Sequence, residues 1–159
     1  MKSPALIELQ RLAYEDNKRK YPTFPEAYLP KFVYNDKTSN QLTKAIIDFL
    51  RFNGHHAERV NTTGRPIDKR QTFTDAIGNT RQIGRLEWVY GNTMKGSADI
   101  HTLINGKAVY LEVKINKDFQ RPAQIEYQEQ VEKSGGLYLI IKDFQNFYNW
   151  YNTFHNGKN

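Results

Sequence analysis

The chain of 159 residues contains no cysteine, so disulfides and thiolate-bound zinc are excluded. Absence of cysteine is compatible with a reducing compartment. No run is long and apolar enough to cross a membrane, and no secretory signal pattern opens the sequence. No internal repeat or low-complexity stretch occurs, and the glycine fingerprint of a doubly wound nucleotide fold is missing. Acidic residues are the minority sign. Lys and Arg number 23 against 17 Asp and Glu, a net charge of +6, which suits a polyanionic partner without requiring one. Aromatics make up 13% of the chain, with ten tyrosines, and ordinary packing accounts for most of them. The length suits one domain with an appended segment.

The most informative stretch is Gly96–Lys114. Two apolar-rich runs, Ala98–Ile104 and Ala108–Ile115, flank Asn105-Gly106, the strongest short hairpin signal. A two-residue turn there sets Ile104 opposite Lys107, Leu103 opposite Ala108, His101 opposite Tyr110 and Asp99 opposite Glu112. Opposed residues on an antiparallel pair have Cβ atoms roughly 4.5–5.5 Å apart. Lys114, two residues past Glu112, shares its face. Ile100, Thr102, Ile104, Val109, Leu111, Val113 and Ile115 fall on the other face, a core face. Two facing carboxylates repel, and a divalent cation between them removes the conflict and makes a hard oxygen site of the kind magnesium prefers. A neighbouring lysine can orient water or stabilise developing negative charge. The bland alternative is a solvated sheet face with a Glu112–Lys114 pair.

In chain order, Ser3 and Pro4 start a helix over residues 4–19, ending in the basic Lys18-Arg19-Lys20 cluster, which reads first as a solvated helix end. Pro22, Pro25 and Pro30 then punctuate an aromatic connector. Residues 1–36 are expected to form an N-terminal helical, proline-rich arm, and residues 37–159 the domain proper. A second helix is expected at about 39–53, with a Thr38/Gln41 capping box, the apolar face Leu42, Ile46, Phe49 and Leu50, and Gly54 as its stop. A strand should follow through Arg59-Val60, closed at Gly64. His55 and His56 point opposite ways in a strand and read as surface residues. The stretch 65–90 is polar and basic, with Arg65, Lys69, Arg70, Arg81 and Arg85, and Gly78-Asn79 separates candidate strands Gln71–Ile77 and Thr80–Tyr90. It reads equally as a hairpin lying along a nucleic-acid backbone and as a solvated loop of mixed charge. Beyond Lys114, Pro122 opens a helix to about Ser134, packed by Ile125, Tyr127 and Val131. Gly135-Gly136 stops it, Leu137–Ile141 reads as a buried strand, and Asp143 caps a last helix. The expected fold class is α/β, a mixed central β-sheet flanked by helices.

The ordered set R-V-N-T-T-G (59–64), K-G-S-A-D-I (95–100), Y-L-E-V-K (110–114), Gln124 and S-G-G-L-Y (134–138) resembles the PD-(D/E)XK nuclease superfamily. Within it, the pattern is most similar to the VRR-NUC group, including its small stand-alone phage and bacterial members. The resemblance covers roughly residues 39–142. It implies a restriction-endonuclease-like αβββαβ core and a metal-dependent DNA endonuclease, a phosphodiester hydrolase using Mg²⁺ or Mn²⁺. By the same resemblance Asp99, Glu112 and the backbone carbonyl of Val113 bind the metal, and Lys114 is the catalytic lysine. Gln124 orients the site, with Gln128 as its substitute if the helix starts later. Arg59 contacts substrate phosphate. Arg65 and Arg85, in the basic stretch, are the further expected substrate contacts. The implied partner is DNA, in a bacterial or phage-infected cytoplasm. Relatives act on Holliday junctions, flaps or other branched DNA, and others restrict duplexes; junction cutting suits a two-fold homodimer. The family's first helix usually carries a glutamate facing the metal. Here that neighbourhood offers Ser39, Asn40 and Gln41, with no acid until Asp48, which leaves an outer ligand such as Glu87 or a weaker metal shell. That departure favours the alternative of a DNA-binding or assembly module without catalysis. A third reading is a protein-interaction module built on the aromatic arm and the last helix.

Overall fold

The computed structural model describes residues 2–60, 64–89, 91 and 94–157. Two compact units are present, Met1–Val60 with Gly96–Asn159, and Asn61–Lys95.

The larger unit is built on a four-stranded mixed sheet in the order β1-β6-β7-β8, where β1 is His56–Arg59, β6 Ile100–Ile104, β7 Lys107–Val113 and β8 Leu137–Ile141. β1 and β7 flank β6 antiparallel, and β8 lies parallel to β7. The β6–β7 turn is Asn105-Gly106 with φ of 55° and 77°, the pair of positive values a right-twisted two-residue hairpin demands. The register follows, with Ile104 opposite Lys107 and His101 opposite Tyr110. Around this sheet run α2 (Ser39–Phe52), β1, β6, β7, α3 (Pro122–Lys133) and β8, an αβββαβ order. The Thr38 hydroxyl accepts from the Gln41 N–H at 3.3 Å to start α2, and Gly54, at φ +80°, lies just past its end. The Asp143 carboxylate caps α4 (Phe144–Asn156) through the Asn146 N–H at 2.8 Å.

One sheet face packs the main core. Ile100, Ile104, Val109, Leu111 and Val113 meet α2 and α4 there, and Phe49 sits edge-on to Phe144, Phe147 and Tyr151. α1 (Pro4–Lys20) belongs to this core. Ala5, Leu6, Leu9 and Ala13, spaced along one stripe, are buried against α2 and α4, and Tyr34 joins them. The helix of the expected 1–36 arm thus packs into the core, while the proline-rich connector after it is largely exposed. The opposite face is covered by α3, where Ala98, Tyr127, Val131 and Tyr138 form a smaller cluster. Ile125, expected to pack there, is 45% exposed. It lies two residues from Tyr127, about 200° around the helix, and so points away.

The smaller unit is a ribbon in two pieces. β2 (Arg65–Asp68) pairs with β5 (Leu86–Val89), and β3 (Gln71–Thr74) with β4 (Thr80–Ile83), both antiparallel. The two long strands expected between 71 and 90 are thus shorter and divided. Gly84 explains the break: its φ is +106°, and a Cβ there would lie 2.4 Å from the Lys69 carbonyl oxygen. The expected strand closing at Gly64 ends at Arg59; Asn61–Thr63, and Tyr90, Asn92 and Thr93 of the later turn, lie outside the described residues.

Candidate active site

Asp99 directly precedes β6, and its backbone is held in the sheet by the Val60 N–H, which donates to the Asp99 carbonyl at 2.9 Å. Its side chain reaches across to β7, where Oδ2 accepts from the Val113 N–H at 2.9 Å. The carboxylate is thereby fixed beside Glu112, as the hairpin register requires. Gly96 anchors the same segment from the other side. Its φ is +80°, and a Cβ would lie 2.0 Å from the Ala123 carbonyl oxygen, so only glycine lets this loop rest on the first turn of α3.

Glu112 is 2% exposed, on the face that α3 covers. One carboxylate oxygen accepts from Gln124 Nε2 and pairs with Lys114 Nζ at 3.1 Å; the other accepts from the Tyr138 hydroxyl at 3.4 Å. Burial, reinforced by the Asp99 charge, holds its carboxyl above the usual range, and Lys114 and Gln124 oppose that shift only in part. Burial together with the Glu112 charge likewise pushes the Tyr138 phenol up. A solvated Glu112–Lys114 pair is excluded by this burial.

Lys114 is 6% exposed, and its ammonium meets three acceptors: Glu112 at 3.1 Å, Gln124 Oε1 at 3.1 Å and Asp118 Oδ2 at 3.3 Å. Those three match the three donors an ammonium offers. Gln124 is oriented by the start of α3. Pro122 occupies the first turn, and the Gln124 side-chain oxygen folds back to accept from the Arg121 N–H at 2.9 Å. Its amide nitrogen then has one direction left, toward Glu112.

Asp99, Glu112, Lys114 and Gln124 therefore converge. Val113 lends its N–H to Asp99. Gln128 instead joins Gln120 and Glu132. Arg59, on β1, donates to the Asn40 side-chain oxygen of α2 at 2.7 Å, so an amide stands on the helix turn where the resemblance leads one to expect an acid. Asp48 is engaged by Tyr34 and Lys44. Arg65, Arg85 and Glu87 lie in the smaller unit, where Glu87 pairs with Lys69.

Among the described residues, no group of three or more His, Cys, Asp or Glu side chains converges to hold a metal. The donors at hand are two carboxylates with backbone oxygens, a hard set. Magnesium, which keeps several waters and needs only one or two carboxylates, fits such a set. The like-charge stress on buried Glu112 is the feature a cation would relieve.

Three participants had no role assigned to them from the sequence, although Gly96 and Tyr138 fall within its motifs. Asp118 sits four residues after Lys114 in an irregular loop, with no periodic signal. Tyr138 occupies a strand position indistinguishable from a core aromatic. Gly96 lay in the K-G-S-A-D run, where a glycine before a loop acid was the available signal. No family model matches the chain, and no curated protein matches it either.

Proposed function

We propose that the chain is a metal-dependent DNA endonuclease that hydrolyses phosphodiester bonds, with selectivity for branched DNA. The observation that carries this reading is the convergence of Asp99 and Glu112 with the buried, triply bonded Lys114 ammonium. Asp99, Glu112 and the Val113 carbonyl would hold Mg²⁺ or Mn²⁺. When bound, such an ion supplies Lewis-acid chemistry, lowering the pKa of water and neutralising phosphate charge. Lys114, exchanging its 3.3 Å bond to exposed Asp118 for substrate, positions the attacking water and stabilises the crowded phosphoryl oxygens. Gln124 keeps Lys114 and Glu112 in register by bonding both. Arg59 contacts a substrate phosphate. Water adds to phosphorus, the bond to the 3′ oxygen breaks, and the leaving oxygen takes a proton, giving a 5′-phosphate and a 3′-hydroxyl.

The test is cleavage of labelled linear, flapped and four-way-junction DNA with Mg²⁺ or Mn²⁺. Cutting that is lost in Asp99→Ala and Lys114→Ala supports the reading; no cutting of any substrate, or unchanged cutting by both variants, refutes it. One observation favours a second reading, a DNA-binding module without catalysis: Asn40 in place of an acid, already bonded to Arg59. Metal-independent binding without cleavage selects it.

A further inference from the structure

The ribbon of the smaller unit is built unlike a folded core. No residue of β2–β5 is buried. An isolated two-stranded ribbon is marginal in water, so its exposed apolar groups call for a partner. The register sorts them: in the outer half Phe73, Arg81 and Ile83 share one face, and threonines 72, 74 and 80 the other. Phe73, Ile83, Leu86 and Trp88 are all exposed.

Charge identifies the partner's sign. Between residues 65 and 89 lie five Lys or Arg and three acids. Each acid is matched to one cation: Asp68 to Arg70 at 2.6 Å, Asp75 to Arg81 at 3.7 Å, and Glu87 to Lys69. Arg65 and Arg85 have no acidic partner among the described residues. The ribbon's tip adds a third feature. Asp75 Oδ1 accepts from the N–H groups of Ile77 at 3.0 Å and Asn79 at 2.9 Å, and Gly78 turns at φ +87°. This closed turn presents Ile77 at 87% exposure, an apolar side chain with no fold-internal purpose.

We infer that the ribbon is a grip for duplex DNA, with Arg65 and Arg85 on phosphates and Ile77 as a wedge at an unstacked base step. A two-stranded ribbon can lie in the minor groove of duplex DNA, the side from which apolar wedges enter a base step. Apolar side chains inserted at weak steps are how many architectural proteins hold kinked DNA. Aromatics with arginine suit a protein surface as well, so the choice of DNA rests on Arg65 and Arg85, which leave the ribbon with uncompensated positive charge. The inference takes its ligand, DNA, from the nuclease reading and adds where duplex is held and why a branch is preferred.

The experiment measures fluorescence anisotropy of the full chain in EDTA, with a continuous duplex and one carrying an unpaired bulge, across a salt series. The Arg65→Ala/Arg85→Ala variant is expected to bind both duplexes about 10-fold more weakly, with the log–log salt slope reduced by about 2. Arg65→Lys/Arg85→Lys restores most of the slope. Ile77→Ser keeps the slope and loses the preference for the bulge by about 5-fold or more. Unchanged affinity and slope in the alanine pair overturns the phosphate grip. A bulge preference that is absent in the wild type, or intact in Ile77→Ser, overturns the wedge. Because these side chains are exposed, circular-dichroism melts should superimpose on the wild type. Cleavage with Mg²⁺ separates the two readings: cutting with ribbon-independent binding refutes the grip alone, and ribbon-dependent binding without cutting refutes the nuclease alone.

Discussion

The polar cluster on the sheet and the ribbon of residues 65–89 are opposites. Glu112 and Lys114 are buried, and they are bonded to half-buried Gln124 beside half-buried Asp99, all oriented by backbone devices: a two-residue turn, a proline-initiated helix and a glycine contact. On the ribbon most side chains stand in water, two arginines have no acidic partner among the described residues, and a hydrogen-bonded turn presents an isoleucine outward. The first arrangement suits chemistry, which needs groups fixed before substrate arrives. The second suits contact, where the partner supplies what the fold leaves open. Substitutions in the two regions should therefore fail differently.

The widest separation is expected in catalysis. Lys114→Ala should lower the cleavage rate at saturating DNA by about 10²–10³-fold, whereas Ile77→Ser should leave that rate within about twofold. Single-turnover kinetics distinguish the two, and equal losses would erase the contrast. In stability, Leu9→Ala removes a side chain sealed between α1 and the main core and should cost about 2–5 kcal/mol. Phe73→Ala on the ribbon should stay within about 0.5 kcal/mol, both read from urea denaturation. Gly96→Ala combines an unfavourable φ with a collision against α3 and should cost about 1–3 kcal/mol. It should also reduce cleavage, since Asp99 and Gln124 are held by the two segments it would part.

A smaller effect has the opposite sign. Because the Glu112 carboxyl lies above its ordinary value of 4.5, the folded protein holds a proton there more tightly than the unfolded chain. Metal-free stability should fall as pH rises from about 4.5 through the folded value, and the full cost should persist above it. Asp99→Asn can keep the bond from the Val113 N–H while removing one negative charge. It should raise metal-free stability near neutral pH by about 1 kcal/mol and flatten this pH dependence. Melting curves at a series of pH values check both.

Much of the larger unit was legible because local signals and global fold agree. Asn105-Gly106 sets the hairpin register by backbone geometry alone, and Thr38, Pro122 and Asp143 mark helix starts through bonds that involve only near neighbours. What was not legible depends on residues far apart in the chain. Alternating Glu112 and Lys114 look solvated until α3 and Tyr138 are laid over them. The docking of α1 needs the complementary faces of α2 and α4. Asp118 enters through an irregular loop, and the division of the ribbon depends on a glycine whose contact is with Lys69 in the facing connection between β2 and β3. Composition announced an excess of positive charge but not which arginines would be left without partners.

The central claim is that Asp99 and Glu112 together make one divalent-cation site. Calorimetric titration of the protein with Mn²⁺ tests it most directly. One ion should bind per chain in the wild type, with affinity falling about 10-fold or more in Asp99→Asn and in Glu112→Gln. Absence of binding in the wild type, or affinity unchanged from the wild type in either variant, would contradict it.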